Sequence, residues 1–279
     1  MKRNVTAYTA LMLIFLLLLT VSGSTEGTIS ELIYVIAFIA PVVIGYAIDK
    51  KRREQESQHD REYKEPDSYF KLSGGSVRLF APWIFPTVAL IMTISQVTAM
   101  LLFLVTGTEH TLDVGNNLIF ALARHAVLPA FLEEALFRFM PLRMLSRHSA
   151  SATVIISSLY FALIHNSFYS IPYAFVAGVV FITVDLVCES VWPSVILHFI
   201  NNAASVIWIM YSGTQTFAVF YYGTVAALTL VSLAVIFIRR KEYNDKIHKT
   251  LSYGEKMPFM YEPLLLAVPT LLMAVTEFI

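Results

Sequence analysis

Residues 131–140 read Phe131-Leu132-Glu133-Glu134-Ala135-Leu136-Phe137-Arg138-Phe139-Met140. Two adjacent glutamates and an arginine sit inside an apolar run that begins near Leu118 and continues to Leu145. A charged side chain at membrane depth costs roughly 2.5–3.5 kcal/mol on insertion scales, so such a cluster needs a reason. Helix geometry supplies part of it. Glu134 and Arg138 are four apart, acid first, and share a helix face, so they can pair. Glu133 is rotated by about 100° from Glu134 and keeps no partner within its own helix. An unpaired carboxylate at this depth is a functional candidate.

Composition sets the surroundings. The chain has 279 residues, is 57% hydrophobic and only 14% charged. Soluble domains are closer to about 45–50% apolar and about 25% charged, so this is a polytopic membrane protein. The fold class expected is all-α: a transmembrane helical bundle of about eight or nine helices, with the active site inside it. Net charge is zero, which offers no basic domain for nucleic acid, and none is expected as a partner. Cys188 is the single cysteine, which excludes an internal disulfide and a cysteine-based metal cluster. It reads as a small buried apolar residue.

The spans expected are Leu11–Val21 (retained rather than cleaved), Ser30–Ile48, Phe80–Val105, Leu118–Leu145 and a short Val154–Ile164. Ile171–Val187, Val191–Met210 and Phe217–Ile238 follow. Leu264–Ile279 is a ninth that either spans the membrane or lies at its interface. Lys50 to Ser68 reads as a solvated, charged loop. Three parts follow: 1–117 with a cytoplasmic loop at 49–78, a core at 118–210, and C-terminal helices at 211–279.

Charge supports this alternation. The amino terminus and residues 49–78, 138–148 and 239–256 fall on one side and hold 19 of the 20 Lys and Arg. The opposite loops hold none, and the exception is Arg124 in the outer half of the fourth span. Positive residues mark the cytoplasmic side, so the amino terminus is expected inside. There is no internal repeat, which removes the best sequence pointer to an inverted-repeat transporter.

Further polar residues face inward. The fifth span ends Phe161-Ala-Leu-Ile-His165, and the seventh carries His198-Phe-Ile-Asn-Asn202, with His198 and Asn202 stacked on one face. Pro129, four residues before Glu133, cannot donate to the carbonyl of His125 and should kink the helix. Taken singly, a membrane His or Asn is often glue between helices, worth about 0.6 kcal/mol. Taken together, one unpaired acid, two histidines and an amide form a set with catalytic roles available. The competing reading is a proton- or ion-coupled carrier, for which Asn202 has no evident use.

Glu133-Glu134-x-x-x-Arg138, Phe161-x-x-x-His165 and His198-x-x-x-Asn202 resemble the three motifs of the CAAX-processing and bacteriocin-processing (CPBP) intramembrane endopeptidases. The type II CAAX prenyl proteases belong to that group. The order, the roughly 30-residue spacing and Trp192-Pro193-Ser194 ahead of the third motif match, over about Leu118–Met210. His-Glu-x-x-His, Gly-x-Gly-Asp and Gly-x-Ser-x-Gly signatures are missing.

The resemblance implies a glutamate-based peptidase in the cell membrane that opens to the cytoplasm. Glu133 would be the general base, His165 would help hold the water, and His198 and Asn202 would donate to the oxyanion. Glu134, Arg138 and Phe161 would support them. No cofactor is expected. The alternative is zinc held by Glu133, His165 and His198. The partners implied are the lipid bilayer and a peptide or lipidated-protein substrate, which is a prenylated CAAX-like protein in one case.

One feature of the spacing conflicts with a straight fifth span. Counted from the cytoplasmic side, Glu133 lies roughly 15 Å deep and His198 roughly 10 Å, but His165 lies roughly 24 Å. Either residues 149–153 lie outside the membrane, or that span is tilted and bent.

Overall fold

The computed structural model describes residues 2–24, 27–57, 73–107, 113–145, 149–165 and 167–252, and all regular structure among them is helical. The helices are α1 (Lys2–Gly23), α2 (Gly27–Ser57), α3 (Gly74–Thr106), α4 (118–144), α5 (Ala150–Leu163), α6 (Ile171–Cys188), α7 (Trp192–Tyr211), α8 (Gln215–Ile238) and α9 (Arg240–Leu251). Six of them, α1 to α3 and α6 to α8, are long and apolar enough to cross a bilayer. With the broken α4 and the short α5 they make the helical membrane bundle that composition implies. The expected ninth span, 264–279, lies outside the described residues.

α4 runs through the middle of the bundle. Its lower half, Leu136 to Leu145, is buried on every side, as a helix enclosed by others must be. Its upper half exposes Ile119, Phe120, Val127, Leu128 and Phe131 along one flank. Between apolar helices in lipid, close packing rather than water exclusion drives association, so small residues mark the tight crossings. A Cβ on Gly178 of α6 would come within 2.9 Å of the Ser158 Cα on α5. A Cβ on Gly45 of α2 would meet the tip of Met140 at 1.9 Å. Edge-on aromatic contacts tie α1 and α2 to α4, with Phe15 5.7 Å from Phe137 and 4.9 Å from Phe38.

Helix ends sort into two sets. One holds Asp49, Arg143, Ser151 and α9; the other holds Ser22, Glu31, Arg124 and Tyr211. At the first end α2 continues through Lys50–Arg53 to Ser57 instead of giving way to a loop. The reason is Asp49, buried at 2% exposure. It accepts from Arg52 (2.5 Å) and Arg53 (2.7 Å) of its own helix and from Arg143 of α4 (2.8 Å). Packing takes up charges that composition alone assigns to water. At the other end Arg124, the one basic residue out of place, pairs with Glu31 of α2 at 2.6 Å.

At the start of α5, Ser151 Oγ donates to the Leu251 carbonyl at the end of α9. α9 is the highly charged Arg240–Leu251 segment. The first turn of α5 therefore lies beside a polar helix, an arrangement in keeping with residues 149–153 outside the membrane.

Candidate active site

The acid-bearing helix is opened twice. Pro129 and Pro141 each lack the N–H that would close the ladder four residues back. A single π turn precedes each proline, Ala123–Val127 and Ala135–Phe139, closed by Leu128 N–H to Ala123 O and Met140 N–H to Ala135 O. π turns of this kind absorb one extra residue and recur at functional sites. The carbonyls four before the prolines belong to His125 and Phe137, and both find side-chain donors. Asn202 Nδ2 of α7 donates to His125 O at 3.1 Å. Ser157 Oγ of α5 donates to Phe137 O, which also accepts from Arg138 Nη1 at 3.2 Å. The kink expected at Pro129 is thus a π turn held by a side chain from another helix.

Between these openings sit Glu133 and Glu134, both buried. Glu134 Oε2 lies 3.1 Å from Arg138 Nε, the pair that their spacing predicts, and both side chains are fully enclosed. The Arg138 guanidinium packs 4.4 Å over the Phe161 ring and 5.6 Å from Phe181. Beside aromatic rings is a favourable place for a buried guanidinium. Glu134 Oε1 takes a second bond, 2.7 Å from His198 Nδ1. A carboxylate accepts, so Nδ1 is the nitrogen that carries hydrogen there. The imidazole is further fixed by Phe161 edge-on at 5.6 Å and Phe181 tilted at 5.5 Å. Its Nε2 then points at Glu133, 3.9 Å from Oε2. Glu133 Oε2 itself is buried with no hydrogen-bond partner among the described residues. The two neighbouring acids occupy opposite situations.

His165 caps α5. Its Nδ1 is 2.8 Å from the Phe161 carbonyl, which can only accept, so Nε2 carries the lone pair. It stands beside Phe161 at 5.2 Å and within electrostatic reach of both Glu133 and His198. Asn202 lies one turn above His198 on α7, as the spacing requires. One of its two Nδ2 hydrogens goes to His125 O, and its Oδ1 accepts from Asn201 Nδ2 at 3.2 Å. Asn202 therefore holds α4, a job its residue type does not reveal.

Residues 115–204 match the family model described as type II CAAX prenyl endopeptidase Rce1-like. The chain carries an Rce1-like domain. No match came from the curated proteins or from the solved structures. The Rce1-like segment begins just ahead of α4, ends within α7 and contains all three motifs. The family is one of CAAX-type membrane proteases, and the likeness implies a peptidase acting on a peptide or protein in a membrane setting.

Two further residues of the Rce1-like domain matter although the motifs omit them. Asp185 is fully buried on α6, and its Oδ1 accepts from the Ser194 backbone N–H at 2.9 Å. It thereby caps the first turn of α7 from another helix and fixes the register that delivers His198. As the one acid in an otherwise apolar span, Asp185 is visible to the same argument that singles out Glu133. Ser157 has no such signal, because a serine in a membrane helix usually bonds its own backbone. As to metal, among the described residues no three His, Cys, Asp or Glu are arranged to hold an ion.

Proposed function

We propose that this protein is an intramembrane endopeptidase that hydrolyses its substrate with a water activated by Glu133. The observation that carries this reading is the inequality of the two acids. Glu134 is held by Arg138 and His198, while Glu133 Oε2 is buried, unbonded and faces His198 Nε2. A structural ion pair needs one carboxylate; the second is available for chemistry.

Water oxygen bonds to the scissile carbonyl carbon while Glu133 takes a water proton. The carbonyl π electrons move to oxygen, and on collapse the C–N bond breaks as Glu133 returns the proton to the leaving amine. One group serves as base and then acid, a contribution of about 10²–10⁴-fold. His165, with its lone pair on Nε2, accepts from the other hydrogen of that water. Asn202 retains a second Nδ2 hydrogen for the oxyanion. His198 donates from Nε2 when its ring carries both protons, with Glu134 beneath it as counter-charge. Donors aimed at an oxyanion are worth about 3–4 kcal/mol each in other proteases.

The substrate class that fits is a membrane-associated peptide or protein with a prenylated CAAX-like terminus. The distribution of basic residues supports a cytoplasmic amino terminus and a site that opens to the same side. The test is purified protein in lipid nanodiscs with a fluorogenic peptide ending in a farnesylated Cys-aliphatic-aliphatic-X sequence. Wild type should cleave it after the modified cysteine, and Glu133→Gln should lose at least about 10²-fold in turnover with an unchanged melting temperature. Near-normal turnover by Glu133→Gln would remove Glu133 as the base.

A further inference from the structure

We propose that Ser157 is a positioning residue for the reaction: it splints the acid-bearing helix across the break made by Pro141. The effect on turnover rests on the peptidase reading above, whereas the splint itself does not. Pro141 leaves the Phe137 carbonyl without its N–H partner in the middle of the bundle, where Phe137 is completely buried. The hydroxyl that answers comes from α5. Ser157 is itself fully buried, and its Oγ donates to Phe137 O.

The neighbouring residue shows what Ser157 gives up. Ser158, equally buried, bonds back to Val154 O at 2.7 Å within its own helix, the default for a helical serine. Ser157 reaches across to a different helix instead. Gly178 of α6 packs directly against the Ser158 backbone, which keeps α5 in a close crossing at this level.

The carbonyl that Ser157 holds is also the one that Arg138 Nη1 holds. From Arg138 the connection passes to Glu134, and from Glu134 to His198 Nδ1. The same π turn starts one residue after Glu134 and contains Arg138, so its closure sets how Arg138 meets Glu134. Ser157 touches neither water nor substrate. It acts through the geometry of residues 133–138.

This role differs from general glue between α4 and α5 in one checkable way. If Ser157 serves to supply the donor that Pro141 lacks, restoring a backbone N–H at 141 makes the hydroxyl dispensable. The experiment is a cycle of Ser157→Ala, Pro141→Ala and the double variant in nanodiscs, read by kcat and KM on the farnesylated peptide. Amide hydrogen exchange of residues 135–144 is measured alongside. Ser157→Ala is expected to lower kcat about tenfold or more with KM within about twofold, and to speed exchange in 135–144. Both changes should revert in the double variant.

Unchanged kcat and exchange in Ser157→Ala would overturn the proposal, as would a loss that persists or grows when Pro141→Ala is added. If wild type fails to cleave the peptide, the peptidase reading falls and exchange alone decides the splint. Faster exchange in Ser157→Ala that the second substitution restores sustains it, and wild-type protection in Ser157→Ala refutes it.

Discussion

Glu134→Gln should unfold the protein rather than merely silence it. The amide keeps the shape of the acid but faces two incompatible neighbours. Its oxygen can accept from His198 Nδ1, now at 2.7 Å, and then its NH2 group points at Arg138 Nε, 3.1 Å from the other position. Turned the other way, the amide donates toward the nitrogen that Glu134 keeps protonated. Either rotamer strands a guanidinium that is completely buried and has Glu134 as its ion-pair partner. Removing one member of a buried ion pair costs about 3–5 kcal/mol. At roughly 2–4 °C per kcal/mol for a chain of this size, the melting temperature should fall by roughly 6–20 °C. Thermal melts in detergent micelles, followed by the fluorescence of Trp83, Trp192 and Trp208, measure it. Replacing both partners, Glu134→Gln with Arg138→Met, should recover much of the loss because no charge is left uncompensated. A Glu134→Gln protein that melts within about 2 °C of wild type would refute the reasoning, since the ion pair would then contribute little.

Asn202→Ala removes the donor to His125 O and, in the proposed mechanism, one to the oxyanion, so turnover should fall by about 10²–10³-fold and stability by about 1–3 kcal/mol. A protein that loses stability yet turns over normally per folded molecule would confine Asn202 to the splint. Gly178→Ala drives a Cβ to 2.9 Å from the Ser158 backbone and should cost about 1–3 kcal/mol through parting of α5 and α6, read as a lower melting temperature. Prolonged chelation should leave peptide cleavage intact. Stoichiometric zinc that is lost together with activity, and whose return restores it, would transfer the histidines to a metal site. Cysteines introduced at exposed Gln55 and Asn244 should label from the cytoplasm and one at Gly213 from the opposite side; native Cys188 is buried. Labelling of Gly213→Cys from inside would reverse the orientation.

Much of this was legible because membrane depth makes charge conspicuous. The Glu134–Arg138 pair follows from spacing alone, and so does the isolation of Glu133, because adjacent residues cannot share a face. The stacking of Asn202 over His198 is equally local. What stayed hidden depends on partners from other helices. Asp49 collects arginines from both α2 and α4, so a run of four basic residues looks like loop until Arg143 is beside it. The tie from Glu134 to His198 joins residues 64 apart. Asn202 illustrates the limit of reasoning from residue type. Its amide argued for an oxyanion site over a proton relay, yet one of its hydrogens is occupied by the His125 carbonyl.

The two π turns also make α4 a helix measured by count. Each turn stores one residue beyond the regular ladder, and one residue is about 100° of rotation. Deleting a single position from either turn would close the regular ladder and leave the rest of α4 in register. Deleting one from the regular stretch 128–132 would instead turn the glutamates by that angle, carrying Glu133 away from His198 Nε2 and Glu134 away from Nδ1. Many single substitutions along α4 can be absorbed by repacking. A change in its length by one residue is absorbed only inside the two turns, so drift elsewhere in α4 should accumulate as exchanged side chains.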